Sequence, residues 1–309
     1  MIDATRQPQG GHVAIGIATF KRPELLRALL TSIVETCDLE GLTVFVIDND
    51  PLESAATVCA EFAESVVRYE AEPQPGIAAA RNRFLDIVGD ETYLIFVDDD
   101  ETVTAGWLAA LIEASERLNG DVISGPVIPL FPPDAPQWAV DGMFFERARH
   151  PTGTALEVAA TNNTLVRSSV LRRLAPFRFD ESFSMTGGSD TDFFHRLRQG
   201  GATLYWCDDA IVEEVVPASR MTWRWVRSRA QRTGEVRARI LLRDGRRGRL
   251  LAESIARMFL GGARLAILRL QGRSPNARAL NPAYRGWGMI QVLRGRFIHE
   301  YQRVEVDEG

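Results

Sequence analysis

Four consecutive acids, Asp98-Asp99-Asp100-Glu101, follow directly on the apolar run Tyr93-Leu94-Ile95-Phe96-Val97. Carboxylates this crowded repel one another unless something positive sits among them, and clustered carboxylate oxygens suit a hard divalent cation such as Mg²⁺ or Mn²⁺. An isolated acidic run would read as a turn facing water. Here a strand feeds the run, and a second acidic stretch lies downstream, Gly187-Gly188-Ser189-Asp190-Thr191-Asp192. Asp190 falls at the expected start of a helix, a position that suits a cap. It also suits a carboxylate that stands apart from a metal and takes a proton from an attacking hydroxyl in group transfer. Asp192 lies further round the helix and is the weaker base. The two glycines allow backbone to come close to a ligand.

A third set could hold an anion. Thr19-Phe20-Lys21-Arg22-Pro23 and Asp48-Asn49-Asp50 each close an apolar run, and Arg81 follows the turn Glu72-Pro73-Gln74-Pro75-Gly76. Asp48 or Asp50 could accept hydrogen bonds from a base or a ribose, and Arg22 and Arg81 could neutralise phosphate. Each also has a plain structural reading, an Asx turn or cap for the aspartates and a surface position for Arg81. Gathered at one sheet edge, they favour an anionic nucleotide. The first strand is followed by no glycine fingerprint, which excludes the dinucleotide-binding pattern, and no phosphate loop of the GxxxxGK[ST] type occurs. His12, His150, His195 and His299 are scattered and form no metal pair. Cys37, Cys59 and Cys207 show no CxxC spacing, which argues against zinc or a disulfide framework and fits a reducing cytoplasm.

These residues need elements to carry them. Val13–Ala18, Val44–Ile47, Val66–Tyr69, the Tyr93–Val97 run and Val122–Ser124 read as strands, with Leu165-Val166, Leu204–Trp206 and Ile211-Val212 following. Helical spacing marks a helix entered at Pro23, further helices over Glu53–Glu64, Ile77–Leu85 and Trp107–Leu118, and one carrying Phe193, Phe194 and Leu197. Ser168 is placed to cap another. Strand and helix in alternation predict parallel βαβ units, whose ligand edge lies at the strand C-termini. Pro126, Pro129, Pro132, Pro133 and Pro136 break the pattern, and Trp138, Phe144 and Phe145 in that stretch suggest a lid or an acceptor-side surface. After Met221 the chain reads as helical, in a first segment with Trp223, Trp225 and Val226, a second over Leu250–Leu270 and a third over Tyr284–Tyr301.

The 309 residues carry 36 basic and 41 acidic side chains, a net charge of −5, so nothing pulls the chain as a whole to nucleic acid. Residues 1–11 are polar and read as a flexible arm rather than a secretory leader. No uncharged run is long enough to span a bilayer. The expected organisation is a catalytic domain over 12–220, in a nucleotide half (12–125) and an acceptor half (126–220), with a helical extension over 221–309.

In order and spacing, Thr19–Pro23, Asp48–Asp50, Pro75–Asn82, Asp98–Asp100 and Gly188–Phe193 resemble the motifs of family 2 glycosyltransferases, succinoglycan-type exopolysaccharide enzymes in particular. Ala160–Thr164 and Glu213–Pro217 share that likeness, which covers roughly residues 12 to 235. The resemblance implies the GT-A fold: α/β, with a Rossmann-like, mostly parallel central sheet flanked by helices. It further implies inverting transfer from a nucleoside diphosphate sugar, commonly a UDP-sugar. Thr19, Phe20, Arg22, Asp48, Asp50, Gly76, Arg81, Asp98 and Asp99 would hold the donor. Asp98 and Asp100 match the DxD motif that binds Mn²⁺ or Mg²⁺, and Asp190 matches the general base. Two positions depart from the pattern. Ser189 stands where many relatives have glutamate, and Glu214 stands where many have a metal-assisting histidine, so that Glu214 becomes a candidate auxiliary ligand. The acceptor would be a carbohydrate or a lipid-linked saccharide. The arginine-rich C-terminal helices could pack on the catalytic domain, bind nucleic acid or lie on an anionic inner-membrane face with Trp223, Trp225 and the Leu250–Leu270 stripe inserted. The last of these is expected, since no nucleic-acid motif is present. Two other classes stay open at this point, a non-catalytic sugar-nucleotide-binding protein and a nucleotidyltransferase.

Overall fold

The computed structural model describes residues 12–184 and 187–298. The arm expected at 1–11 and the end of the third helical segment, with His299 and Tyr301, lie outside them. The chain groups into two compact units. One comprises residues up to 128 with 147–184 and 189–215; the other comprises 129–146, Gly187-Gly188 and the chain from 216.

In chain order the first elements are β1 (Val13–Thr19), α1 (Pro23–Thr36), β2 (Leu42–Asp48), α2 (Ala56–Cys59), β3 (Val67–Ala71), α3 (Ile77–Ile87), β4 (Tyr93–Phe96), β5 (Glu101–Val103), α4 (Trp107–Leu118), β6 (Val122–Ser124) and β7 (Val127–Leu130). They are followed by α5 (Gln137–Asp141), β8 (Thr164–Arg167), α6 (Ser168–Arg173), α7 (Ser189–Gln199), β9 (Leu204–Trp206), β10 (Val212–Val215), α8 (Trp223–Arg243), α9 (Arg247–Leu270) and α10 (Ala277–Leu293). A seven-stranded sheet runs β3-β2-β1-β4-β8-β6-β9, and a three-stranded sheet runs β5-β10-β7. β1 pairs in parallel with both β2 and β4, β2 with β3 and β6 with β9. β8 alone runs the other way, antiparallel to β4 and β6.

The near-continuous apolar strands are explained by cover on both faces of the large sheet. Ile15, Ile17, Val44, Val46 and Ile95 join one core with Leu26, Leu30 and Ile33 of α1 and Trp107 and Leu111 of α4. Their alternates Ala14, Phe45, Ile47, Leu94 and Phe96 join a second core with Phe84 of α3 and Phe193, Phe194 and Leu197 of α7. Gly16 sits where α3 crosses β1. A Cβ there would lie 2.4 Å from the Phe84 ring, so the missing side chain is what lets the helix rest on the sheet.

Several expectations need correction. The Glu53–Glu64 helix is a single turn, because Glu53 takes a left-handed φ of 53° and the backbone before α2 wraps onto the Asp48 carboxylate. Ser168 does not cap α6. It is the first helical residue, behind Arg167 at the cap position, and its hydroxyl donates to the Thr92 carbonyl at 3.3 Å. Glu101 is not loop but the start of β5, paired antiparallel with β10. The proline-rich stretch, read as loop-rich, contains β7 and α5, and β7 lies beside β10 in the smaller sheet.

In the second unit α10 packs on both α8 and α9. Gly234 and Gly288 bring α8 and α10 into backbone contact, since a Cβ at either would lie within 2.1 Å of a carbonyl oxygen on the other helix. The aromatics of the proline-rich stretch are covered inside this unit. Trp138 stacks on Trp223 with centroids 4.3 Å apart, and Phe145 on Trp225 at 5.4 Å. Trp223 and Trp225 are thus held in aromatic packing, with Trp223 still 44% exposed.

Candidate active site

β4 delivers the acids to the sheet edge, and the turn that follows closes on itself. The Glu101 amide donates to the Asp98 carbonyl at 3.2 Å, and the Asp98 amide donates to Glu101 Oε2 at 3.1 Å. The four carboxylates then diverge towards different partners. Asp99 turns back to β1, where Thr19 Oγ1 donates to it at 2.8 Å and Arg22 Nη1 at 3.0 Å. The same Arg22 nitrogen reaches Asp100 at 3.3 Å. Asp98 faces Arg81, whose Nη2 lies 3.4 Å from Oδ1. Glu101 is buried and stands opposite Glu214 across the β5–β10 ladder, and Arg147 Nη2 meets Glu214 Oε2 at 3.0 Å.

The electrostatics follow from this crowding. Burial, reinforced by Asp100 and Asp99 and opposed by Arg81 and Arg147, pushes the Asp98 carboxyl up to about 6. Burial, with the charges of Asp98 and Glu214, holds Glu101 well above the usual carboxylate range, with Arg147 pulling the other way. Burial also raises Asp99 against the pull of Arg22. A carboxyl that binds its proton more tightly in the folded chain than in the unfolded one favours folding at low pH. That contribution is lost as pH rises from the ordinary carboxylate range through the raised value. Glu101→Gln keeps an acceptor for the Asp98 amide and removes the charge. Its urea midpoint is expected to exceed the wild-type value at pH 8 and to converge on it near pH 4. Two parallel pH curves would rule this out.

Arg81 joins two parts of the site. It is presented by α3, which Gly76 opens with φ 123°. Asn49 fixes that entry by donating to the carbonyls of Glu72 at 2.8 Å and Gln74 at 2.7 Å while accepting from the Gly76 amide at 2.8 Å. A Cβ on Gly76 would lie 2.5 Å from that of Ser184. From this position the guanidinium reaches Asp98 with one nitrogen and Ser189 Oγ with the other, also at 3.4 Å. Ser189 is the first residue of α7, and Asp190 follows it. Asp190 Oδ1 accepts from the Thr191 amide at 2.7 Å and its hydroxyl at 3.3 Å. Asp192 is fully buried and paired with Arg196 at 2.8 Å, a structural role.

The remaining sequence candidates are also placed. Asp48 pairs in register with Thr19 but has no exposed surface, and its oxygens accept from the amides of Asp50 at 3.0 Å and Ala55 at 2.8 Å. Asp50 is nearly buried and accepts from the Leu52 amide at 3.2 Å. Phe20 is 37% exposed at the end of β1, beside Lys21.

The chain matches the Glycosyl transferase family 2 model over residues 14–175. It is also 33% identical over 235 residues to the succinoglycan biosynthesis protein ExoM of Rhizobium meliloti (strain 1021), a match covering 74% of this chain and 75% of that one. The chain is a family 2 glycosyltransferase. Its architecture is similar to that of GalNAc-T7, solved with UDP, GalNAc and Mn²⁺, at a TM-score of 0.57 and 12% identity, and to S. aureus TarS at 0.53 and 14%. Each likeness covers 74% of this chain but only 48% and 42% of those chains, and establishes the GT-A fold. No described helix of the glycosyltransferase is long and apolar enough to cross a membrane.

Among the described residues no three carboxylate, histidine or cysteine side chains stand in a metal-holding group. Arginines engage Asp98, Asp99, Asp100 and Glu214. The donor chemistry of the glycosyltransferase nonetheless fits a divalent cation. All candidate atoms are hard carboxylate oxygens, and Glu101 Oε1 is buried with no hydrogen-bond partner beside Asp98 and opposite Glu214. An orphaned buried carboxylate oxygen among like charges marks a place short of positive charge.

Sequence reasoning missed Arg147, Asn49 and Asn163. Asn163 donates to the carbonyls of Pro126 at 3.0 Å and Ala210 at 2.7 Å and accepts from Trp107 Nε1 at 2.8 Å, tying α4 to two loops. Asn49 and Asn163 carried a signal as members of the Asp48–Asp50 and Ala160–Thr164 stretches, though no role was read for either; nothing local marks Arg147 as the partner of a glutamate 67 positions away.

Proposed function

We propose that this glycosyltransferase moves a sugar, with inversion, from a nucleoside diphosphate sugar, in first place a UDP-sugar, to a hydroxyl of a carbohydrate or lipid-linked saccharide during exopolysaccharide assembly. The observation that carries the reading is the placement of Arg81, whose guanidinium lies 3.4 Å from both Asp98 and Ser189 and so joins the acid turn to the helix bearing Asp190. The succinoglycan role in ExoM's name supports the polysaccharide class, and the UDP and Mn²⁺ in the GalNAc-T7 title support the donor and the cation. Three free cysteines, Cys37, Cys59 and Cys207, support a cytoplasmic setting.

In this mechanism Asp190 Oδ2, left over when Thr191 holds Oδ1, takes the proton from the acceptor hydroxyl. The hydroxyl oxygen then bonds to the anomeric carbon from the face opposite the diphosphate, and the bond from that carbon to the diphosphate oxygen breaks with its electron pair on the diphosphate. Arg81 and Arg22 meet the growing negative charge. Asp98 and Asp100, with Glu214 as an auxiliary, would hold Mn²⁺ or Mg²⁺, which when bound supplies further positive charge for the leaving group. Thr19 and Asp99 fix the β1 edge on which Phe20 and Arg22 face the donor. Asp48, Asp50 and Gly76 shape the loops around it.

A thermal-shift screen of nucleoside diphosphates and their sugars, with and without Mn²⁺, tests the reading. A UDP-sugar with Mn²⁺ should stabilise most and should be hydrolysed slowly to UDP in the absence of acceptor. A larger shift from a nucleoside triphosphate, with pyrophosphate released on adding a sugar phosphate, would instead assign a nucleotidyltransferase. A shift without any turnover would assign a binding protein.

A further inference from the structure

α9 carries a face that nothing in the described chain covers. Leu251, Ile255, Phe259, Leu260, Ile267 and Leu270 are exposed, Phe259 to 80% and Leu270 to 89%. Between them lie Ala252, Ala256, Gly262, Ala263 and Ala266, all exposed, so the outer side of the helix is apolar over most of its 24 residues. Soluble chains seldom leave so long a contiguous apolar strip in water. The borders of the strip are basic. Arg247, Arg249, Arg264 and Arg269 are exposed, and Glu253 is the only acid on the helix.

Beside the strip lies an open groove of about 580 Å³ between α8 and α9. Ala252, Ala256 and Leu260 form its apolar wall, continuous with the strip, and Arg237, Arg249 and Arg257 surround it. All three arginines share one carboxylate, Glu253, at 3.2, 4.0 and 2.8 Å respectively. Arg285 on α10 adds a further cation. Burial and the like charge of Arg257 lower its proton affinity, and its Nε has no hydrogen-bond partner. The cluster thus has an excess of positive charge next to a hydrocarbon surface.

We propose that α9 docks in the plane of a bilayer rich in anionic phospholipid, with a lipid phosphate in the arginine groove and the Leu251–Leu270 strip among the acyl chains. This goes beyond the glycosyl-transfer reading and does not rest on it. Charge decides between the occupants of the strip. A second copy of α9 would bring arginine-lined borders against each other with only Glu253, already shared by three arginines, to answer them, whereas an anionic lipid surface supplies the missing charge along the whole helix. The helix lies in the surface rather than across it, since no described helix is apolar enough to span a membrane.

The test is vesicle flotation of the full chain at low salt, on phosphatidylcholine alone and on phosphatidylcholine with about 30% phosphatidylglycerol. The wild type should float only with the anionic vesicles. Arg249→Gln with Arg257→Gln should lower the partition coefficient by about 25-fold, roughly five-fold for each arginine. Ile255→Ser with Phe259→Ser should lower it by at least about ten-fold. These positions are exposed or half-buried, and unchanged circular dichroism and an unchanged thermal shift by UDP-sugar would show that the fold and the donor site are intact. Wild-type protein that stays in the dense fraction with anionic vesicles would overturn the proposal, as would variants that float like the wild type. Concentration-dependent dimerisation abolished by Phe259→Ser, without flotation, would give the strip to a second copy. None of these outcomes bears on UDP-sugar turnover, so the two readings fail separately.

Discussion

Asp190→Asn is expected to lower kcat by about 10²- to 10⁴-fold, the usual contribution of a positioned general base. The asparagine oxygen can still accept from the Thr191 amide and hydroxyl, the two groups that hold Oδ1 at the start of α7. The variant should therefore fold, and its UDP-sugar-induced thermal shift should match that of the wild type. Only the proton acceptor is gone. Asp192→Asn makes the contrast, since Asp192 is fully buried and paired with Arg196 inside α7. It should lower the melting temperature and leave turnover per folded molecule nearly intact. The assignment of the base would fall if Asp190→Asn retained wild-type kcat, or if Asp192→Asn lost turnover at full stability.

The second large effect concerns the acid turn. Asp100→Ala is expected to reduce donor turnover at least about 10²-fold, in line with the loss of one charge-stabilising group at a leaving diphosphate. It should also remove the Mn²⁺-dependent part of the thermal shift, a readout that needs no catalysis. Melting temperature without cation, measured alongside, separates this loss from any change in the fold, since Asp100 also meets Arg22 at 3.3 Å, against 3.0 Å for Asp99. Asp99→Ala should behave in the opposite way. Its carboxylate is nearly buried and holds Thr19 and Arg22 together, so its loss leaves a buried hydroxyl short of a partner and loosens the β1 edge. An unchanged Mn²⁺ titration in Asp100→Ala would remove the aspartates of this turn from the cation site.

Much of the donor half could be read from residue order because its elements are local. The two-faced burial of Tyr93–Phe96, the proline that opens α1 and the alanine-rich helix behind Gly76 are each written in a few adjacent residues. Three features escaped because they depend on distant partners. Glu101 looked like the fourth acid of a loop, and only β10, more than a hundred residues on, makes it a strand residue. The reach of Asp48 to Ala55 gave no local sign either: its oxygens accept from the amides of Asp50 and Ala55. Arg147 gave no local hint that it would offset Glu214. The exposed strip of α9 was visible as an amphipathic pattern, whereas the stacking of Trp223 on Trp138 and of Trp225 on Phe145 joins residues far apart in the chain and left no local mark.

The one reversed strand, β8, has a bearing on how such a molecule can diversify. Because β8 runs against β4, its first residue, Thr164, pairs with Phe96 and so lies next to the end of β4 that leads into the aspartates. The chain from Arg147 to Asn163 is thereby delivered to the same rim by a strand that takes no part in the parallel units holding Thr19, Asp48 and Arg81. Residues 153–156 are held along β9, where the Gly153 and Leu156 amides donate to the carbonyls of Trp206 and Leu204, so changes of length that leave β1, β2 and β4 in register have room at 157–160. On the proposed reading, a lineage built on this plan is free to try new recipients for its sugar while its means of activating that sugar stays constant.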